Sequence, residues 1–148
     1  MSTLLTACRR TISLAALAAL VVVAQTQERS VWDGVYTAQQ AARGRDAYAN
    51  LCASCHGTDL TGGESAPPLM GGEFLANWNG LTVGDLFERI RTTMPASRPG
   101  SVSREQNSEV LAFILSANQF PAGSAELPRQ TEALKQIRLE STRPEPRK

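Results

Sequence analysis

The sequence predicts an all-α domain, on three observations. Apolar residues recur at helical spacing in three stretches, each opened by a threonine or serine with a polar or acidic partner three residues later. No stretch alternates apolar and polar residues as a half-buried strand would. The one long segment between the first two stretches is crowded with glycine and proline, and holds too few apolar positions for a strand pair.

The elements follow in chain order. Residues 1–24 read as a signal peptide: Arg9 and Arg10 precede an almost purely apolar run from Ile12 to Ala24, with cleavage expected after Ala24. The run is about 13 residues, short of the ~20 needed to span a bilayer. An uncleaved N-terminal membrane anchor is the alternative. Leu5-Thr6-Ala7-Cys8 looks like a lipobox but precedes the apolar run, so Cys8 reads as a residue discarded with the signal. Residues 25–36 form a polar leader containing Trp32 and Tyr36.

The domain proper is expected over 37–123. Thr37 caps its first helix, with Gln40 completing a capping box, and Ala38, Ala41, Ala42, Ala47, Tyr48 and Leu51 carry the periodicity. Gly57 to Gly72 is a loop. A second helix starts at Thr82 with Asp85 at the third position; Val83, Leu86, Phe87 and Ile90 form its stripe, and it must stop before Pro95. A third starts at Ser103 with Gln106, and runs through Val110, Leu111, Phe113, Ile114, Leu115 and Ala117 to a stop at Pro121 and Gly123. Residues 124–148 are a C-terminal tail, partly helical or disordered, with a short helix possible from Pro128 to Leu139 and a frayed Pro- and Arg-rich end.

Composition narrows the function classes. The chain has 148 residues, 42% hydrophobic and 20% charged, which suits one small globular domain. Loss of residues 1–24 would remove two arginines and no acids, lowering Lys plus Arg from 15 to 13 against 14 acids. With no basic stripe, nucleic acid is not an expected partner.

The chemistry concentrates in Cys52-Ala53-Ser54-Cys55-His56, which holds the chain's single histidine. C-x-x-C-H is the signature of covalent haem attachment. Its two thiols add across the two vinyl groups of haem, and the adjoining histidine is placed to bind iron. A disulfide would leave His56 unexplained. A zinc site usually needs four ligands, and a thioredoxin-like dithiol would need a βαβ pattern. The expected cofactor is therefore one haem c, attached through Cys52 and Cys55, with His56 as the fifth iron ligand. The sixth is a methionine, a lysine, water or nothing. Met94, at a helix end in Thr92-Thr93-Met94-Pro95, is the better-placed methionine; Met70, in the Gly/Pro loop, reads as a gap-filling core residue.

Over about residues 38–120 the chain resembles a class I cytochrome c, the monohaem type with His/Met ligation. The resemblance rests on a helix ending in Cys52-Ala53-Ser54-Cys55-His56-Gly57, a proline loop, a helix leading to Met94-Pro95 and a final apolar helix. It implies the cytochrome c fold, with three main helices around one covalently bound haem. It also implies iron ligation by His56 and Met94. Ala66-Pro67-Pro68-Leu69-Met70-Gly71 is similar to the family's Gly-Pro-x-Leu-x-Gly loop, with Ala66 departing from its first glycine. That similarity gives the Pro67 carbonyl the free nitrogen of His56 as its partner and packs Leu69 on the haem. Trp78 is aligned with a tryptophan that reaches a haem propionate in some relatives. Gly44 falls where the first and last helices would cross, with Phe113 or its neighbours opposite.

The resemblance implies a periplasmic electron-transfer protein rather than an enzyme, cycling Fe(III)/Fe(II). It is similar to cytochromes found with quinoprotein alcohol dehydrogenases. A pyrroloquinoline-quinone dehydrogenase is thus the expected donor and a terminal oxidase the expected acceptor. The alternatives are a haem subunit of a stable dehydrogenase complex, docked through the tail, and a haem enzyme or sensor with an open sixth site.

Overall fold

A computed structural model describes residues 28–64 and 66–145. The signal segment expected over 1–24, Cys8 included, lies outside the described residues. The elements are β1 (Arg29–Ser30), a 3-10 turn (Val31–Asp33), α1 (Ala38–Leu51), α2 (Ala53–His56), α3 (Gly71–Trp78), α4 (Val83–Thr93), α5 (Arg104–Ala117), α6 (Thr131–Leu134) and β2 (Ile137–Arg138). The architecture is all-α apart from the two short strands. Among the described residues no helix is long and apolar enough to cross a membrane.

The three main helices start where their capping residues predict. Thr82 and Asp85 form a reciprocal capping box on α4, and Ser103 and Gln106 one on α5. At α1 the outcome is different. The Thr37 hydroxyl accepts from the Gln40 backbone N–H at 3.1 Å, but the Gln40 side chain does not turn back to the cap. It is buried, and its amide pairs with both backbone groups of Leu127: Nε2 donates to the carbonyl at 2.9 Å, and the Leu127 N–H donates to Oε1 at 2.7 Å. A primary amide presents a donor and an acceptor together, which matches one residue's backbone.

Helices α1 and α5 form the principal packed pair, and α4 packs on α5 and α6. Gly44 sits at the α1–α5 crossing, where a Cβ would overlap the Glu109 carbonyl and come within 3.0 Å of Phe113 Cβ. The core gathers Tyr48, Phe74, Leu86, Phe87, Leu111, Ile114 and Leu115.

The leader and the tail both depart from their expected character. Val31, Val35 and Tyr36 of the leader are buried, and so are Leu127, Leu134, Ile137 and Leu139 of the tail. Two-residue strands are too short to show alternation in sequence, yet β1 and β2 pair in parallel, Arg29 with Ile137 and Ser30 with Arg138. The Trp32 indole donates to the Glu140 carbonyl at 2.9 Å. The tail therefore folds back as part of the core over 127–140, with a helix of four residues rather than one from 128 to 139. A further helix, α3, occupies what reads in sequence as the end of a loop: Gly71 and Gly72 open it without a side-chain cap, and Phe74 is the residue it buries.

Polar links tie the tail to α4. The Thr131 hydroxyl donates to Glu88 Oε1 at 2.5 Å. Arg91 holds the same carboxylate through Nε at 3.1 Å and Nη2 at 2.7 Å. The Arg91 contacts, then the Thr131 hydroxyl, bring the Glu88 carboxyl down to about 2. Its ionised form is thus favoured by folding. The stability it contributes is present above the free carboxyl range near pH ~4.3 and is lost as pH falls towards ~2. Acid unfolding followed by circular dichroism should show this limb, and Glu88→Gln should flatten it between those two pH values.

Candidate functional site

The Cys-Ala-Ser-Cys-His stretch begins where α1 ends. Cys52 closes α1, its N–H donating to the Tyr48 carbonyl at 2.9 Å, and also starts α2, which runs to His56. Gly57 ends that turn at φ 79°, a conformation that favours glycine. The Tyr48 hydroxyl donates to the Gly57 carbonyl at 2.6 Å, anchoring the residue after His56 to α1. Burial pushes the Tyr48 phenol up to about 12, so it remains a donor at any ordinary pH.

Cys52 is half-buried and Cys55 exposed, and no disulfide joins them. Burial, then the neighbouring Cys55, pushes the Cys52 thiol up to about 11. A dithiol built for redox exchange has the opposite property, a depressed thiol pKa.

His56 is buried at 7% exposure, and its Nδ1 lies 2.9 Å from the Pro67 carbonyl oxygen. A carbonyl can only accept, so Nδ1 carries the proton and Nε2 keeps its lone pair for a metal. Such a bond fixes the ring and raises its basicity as a ligand. Two free thiols beside a buried imidazole with one available lone pair form a donor set that fits covalent haem. Among the described residues no cluster of three His, Cys, Asp or Glu side chains could hold a metal ion by itself.

The loop that presents Pro67 is closed locally. Gly62 N–H donates to the His56 carbonyl at 2.9 Å, and Gly63 N–H to the Ala66 carbonyl at 2.9 Å. Gly62 has φ 78°, and a Cβ there would fall 2.7 Å from the Ala66 oxygen and 2.8 Å from the Pro67 carbonyl carbon. A side chain at 62 would push away the carbonyl that His56 uses. Leu69 is half-buried against the core and donates its N–H to the Leu60 carbonyl at 2.8 Å. Asn118, at the end of α5, holds the same loop. Its Nδ2 donates to the Leu69 carbonyl at 3.0 Å and its Oδ1 accepts from Gly71 N–H at 3.0 Å. Neither Tyr48 nor Asn118 announces these roles in sequence: one reads as a core aromatic and the other as a helix end.

Trp78 is the last residue of α3, half-buried, with its ring 6.4 Å from that of Phe74. Met94 is the C-cap of α4, half-buried, its N–H donating to the Ile90 carbonyl at 2.9 Å; the peptide bond to Pro95 is cis. Met70 precedes the first residue of α3, makes no capping hydrogen bond, and packs against the core. Leu60 and Leu86 are buried and Leu69 half-buried, whereas Leu81 is 44% exposed.

No curated protein sequence matches the chain. Among solved structures it is similar to a chain of the sulfane dehydrogenase SoxCD from Paracoccus pantotrophus, at 23% sequence identity and a TM-score of 0.50. The match covers 73% of this chain and 61% of that one, and it shows a shared fold. The family described as "Cytochrome C oxidase, cbb3-type, subunit III" matches residues 39–114, more than half of the chain. With that match over the Cys52–His56 stretch, the chain belongs to this family and is a c-type cytochrome, a haem-based electron-transfer protein whose haem is covalently bound.

Proposed function

We propose that the protein is an exported, periplasmic one-electron carrier of the class I, His/Met type, holding one haem c. The observation that carries this reading is the buried His56 ring, oriented by the Pro67 carbonyl beside two free thiols. When bound, the haem supplies the Fe(III)/Fe(II) couple. Cys52 and Cys55 would tether it through thioethers, and His56 Nε2 would give its lone pair to the iron. Met94 would supply a second donor from the end of α4, Leu69 would pack on the ring, and Trp78 would offer its indole N–H to a propionate. A thioether donor favours the reduced metal and raises the potential. With His56 and Met94 both committed to the iron, the chain would leave it no place for a substrate.

The donor is proposed to be a dehydrogenase of the pyrroloquinoline-quinone class and the acceptor a terminal oxidase. Rapid exchange requires a small, short-lived interface, below ~1,200 Å². The second reading is a haem subunit of a stable dehydrogenase complex. One observation bears on it: the tail, its proposed docking element, is packed into this chain's own core over 127–139. That favours the free carrier.

Carbon monoxide separates a filled sixth site from an open one. The reduced holoprotein at neutral pH is expected to keep its spectrum under carbon monoxide. Stoichiometric formation of a carbon monoxide complex would overturn the carrier reading in favour of an enzyme or sensor.

A further inference from the structure

The tail makes contacts that the electron-carrier reading does not use. Leu127 is held by both polar atoms of Gln40 on α1. Four residues later, the Thr131 hydroxyl reaches Glu88 on α4, while Arg104 of α5 donates to the same hydroxyl at 3.3 Å. Lys135 lies against α4 where Gly84 leaves room. A Cβ at Gly84 would fall 2.5 Å from Lys135 Cγ and 2.7 Å from its backbone nitrogen. Beyond it, Leu139 exchanges hydrogen bonds with the segment before α4: its N–H donates to the Leu81 carbonyl at 2.9 Å, and its carbonyl accepts from Gly80 N–H at 2.8 Å. Leu134, Ile137 and Leu139 are fully buried along this path.

The two helices so joined bear the two sides of the site. Helix α1 ends at Cys52 and leads directly to His56; α4 ends at Met94. They do not form a principal pair themselves, since α1 packs on α5 and α4 on α5 and α6. A helix rises 1.5 Å per residue, so a displacement of α4 at Glu88 is carried about 9 Å along a stiff rod to Met94. We propose that residues 127–139 are a positioning strap: by tying Gln40 on α1 to Gly84 and Glu88 on α4, they hold the Met94 thioether on the haem iron and set how readily another ligand displaces it. This rests on Met94 being the sixth ligand. Thr131, Gly84 and Gln40 act here as positioning residues.

The test titrates the ferric holoprotein with imidazole, following loss of the sulfur-to-iron absorption band. An external ligand binds in proportion to the fraction of molecules whose thioether is released. Gly84→Ala, which levers Lys135 off α4, and Thr131→Val, which removes one hydroxyl, are each expected to raise imidazole affinity by about tenfold, about 1.4 kcal/mol in the release equilibrium. Tyr36→Phe supplies the comparison. It removes a buried hydrogen bond to the Phe120 carbonyl away from the strap, and should lower the melting temperature with imidazole affinity unchanged. Wild-type affinity in folded Thr131→Val would overturn the strap, as would an equal rise in Tyr36→Phe. Met94→Ala distinguishes the underlying reading. If it binds imidazole no more tightly than wild type, the ligand assignment falls and the strap with it. If it binds more tightly while both strap variants do not, the strap alone falls.

Discussion

Replacement of Met94 by alanine is expected to abolish the sulfur-to-iron absorption band of the oxidised protein and to lower its reduction potential. Alanine keeps the helix end, whose Met94 N–H to Ile90 carbonyl bond is a backbone bond, but removes the sulfur. Axial ligands shift haem potentials over a range of about 0.8 V, and thioether ligation lies towards its upper part. The fall should therefore be a sizeable fraction of that range. Stability should change little by comparison, because Met94 is half-buried at a helix end and, among the described residues, is not one of the side chains packed on the core. Met70, which does pack on it, should behave in the opposite way: Met70→Ala leaves the band and lowers the melting temperature. Spectra and a potentiometric titration of both variants check the pair. A band that survives in Met94→Ala and vanishes in Met70→Ala would exchange their roles.

The second large effect is expected at Gly44. By helix propensity alone, Gly44→Ala should stabilise α1 by about 1 kcal/mol. The crossing decides otherwise. The new methyl group would overlap the Glu109 backbone of α5, and backbone cannot swing aside as a flexible side chain can. Forcing atoms into a packed interface costs typically 1–3 kcal/mol and occasionally more. Because α1–α5 is the main helix pair, the upper end of that cost applies; less the propensity gain, a net loss of about 2 kcal/mol is expected, with a fall of about 7 °C in melting temperature. Thermal denaturation of the holoprotein measures it; an unchanged or raised melting temperature would mean that the helices can move apart freely.

Gly44 and the Cys52–His56 stretch show which parts of this protein can be read from its sequence. Helix starts at Thr82 and Ser103 are legible because both partners of a capping box lie three residues apart. The haem motif is legible because its chemistry is local, and Pro67 because it lies in the same short loop. What escapes is whatever depends on distant partners. Gln40 satisfies the spacing of a capping box, yet its amide serves Leu127, 87 residues away. The apolar residues of the tail, Leu127, Leu134, Ile137 and Leu139, allow a short helix by their spacing, and proline and arginine nearby suggest a frayed end. Their order comes with burial and with distant partners for their backbone, Gln40 for Leu127 and Leu81 for Leu139. Helix α3 is hidden by a glycine pair that looks like loop and by the lack of a cap.

The parallel pairing of β1 with β2 bears on the order in which this chain can assemble. Residues 48–67, which seat His56 and its proline loop, are close in sequence and can organise early. Trp32, by contrast, waits for Glu140, 108 residues later. Contacts of such separation form slowly, because closing a long loop loses chain entropy before any pairing repays it. During synthesis the first strand has no neighbour until nearly the whole domain has emerged. Until then the backbone of Arg29 and Ser30 has no strand to pair with, and the leader is open to proteases or to pairing with another chain. Residues 137–140 thus give residues 29–32 their partners only after everything between them is in place.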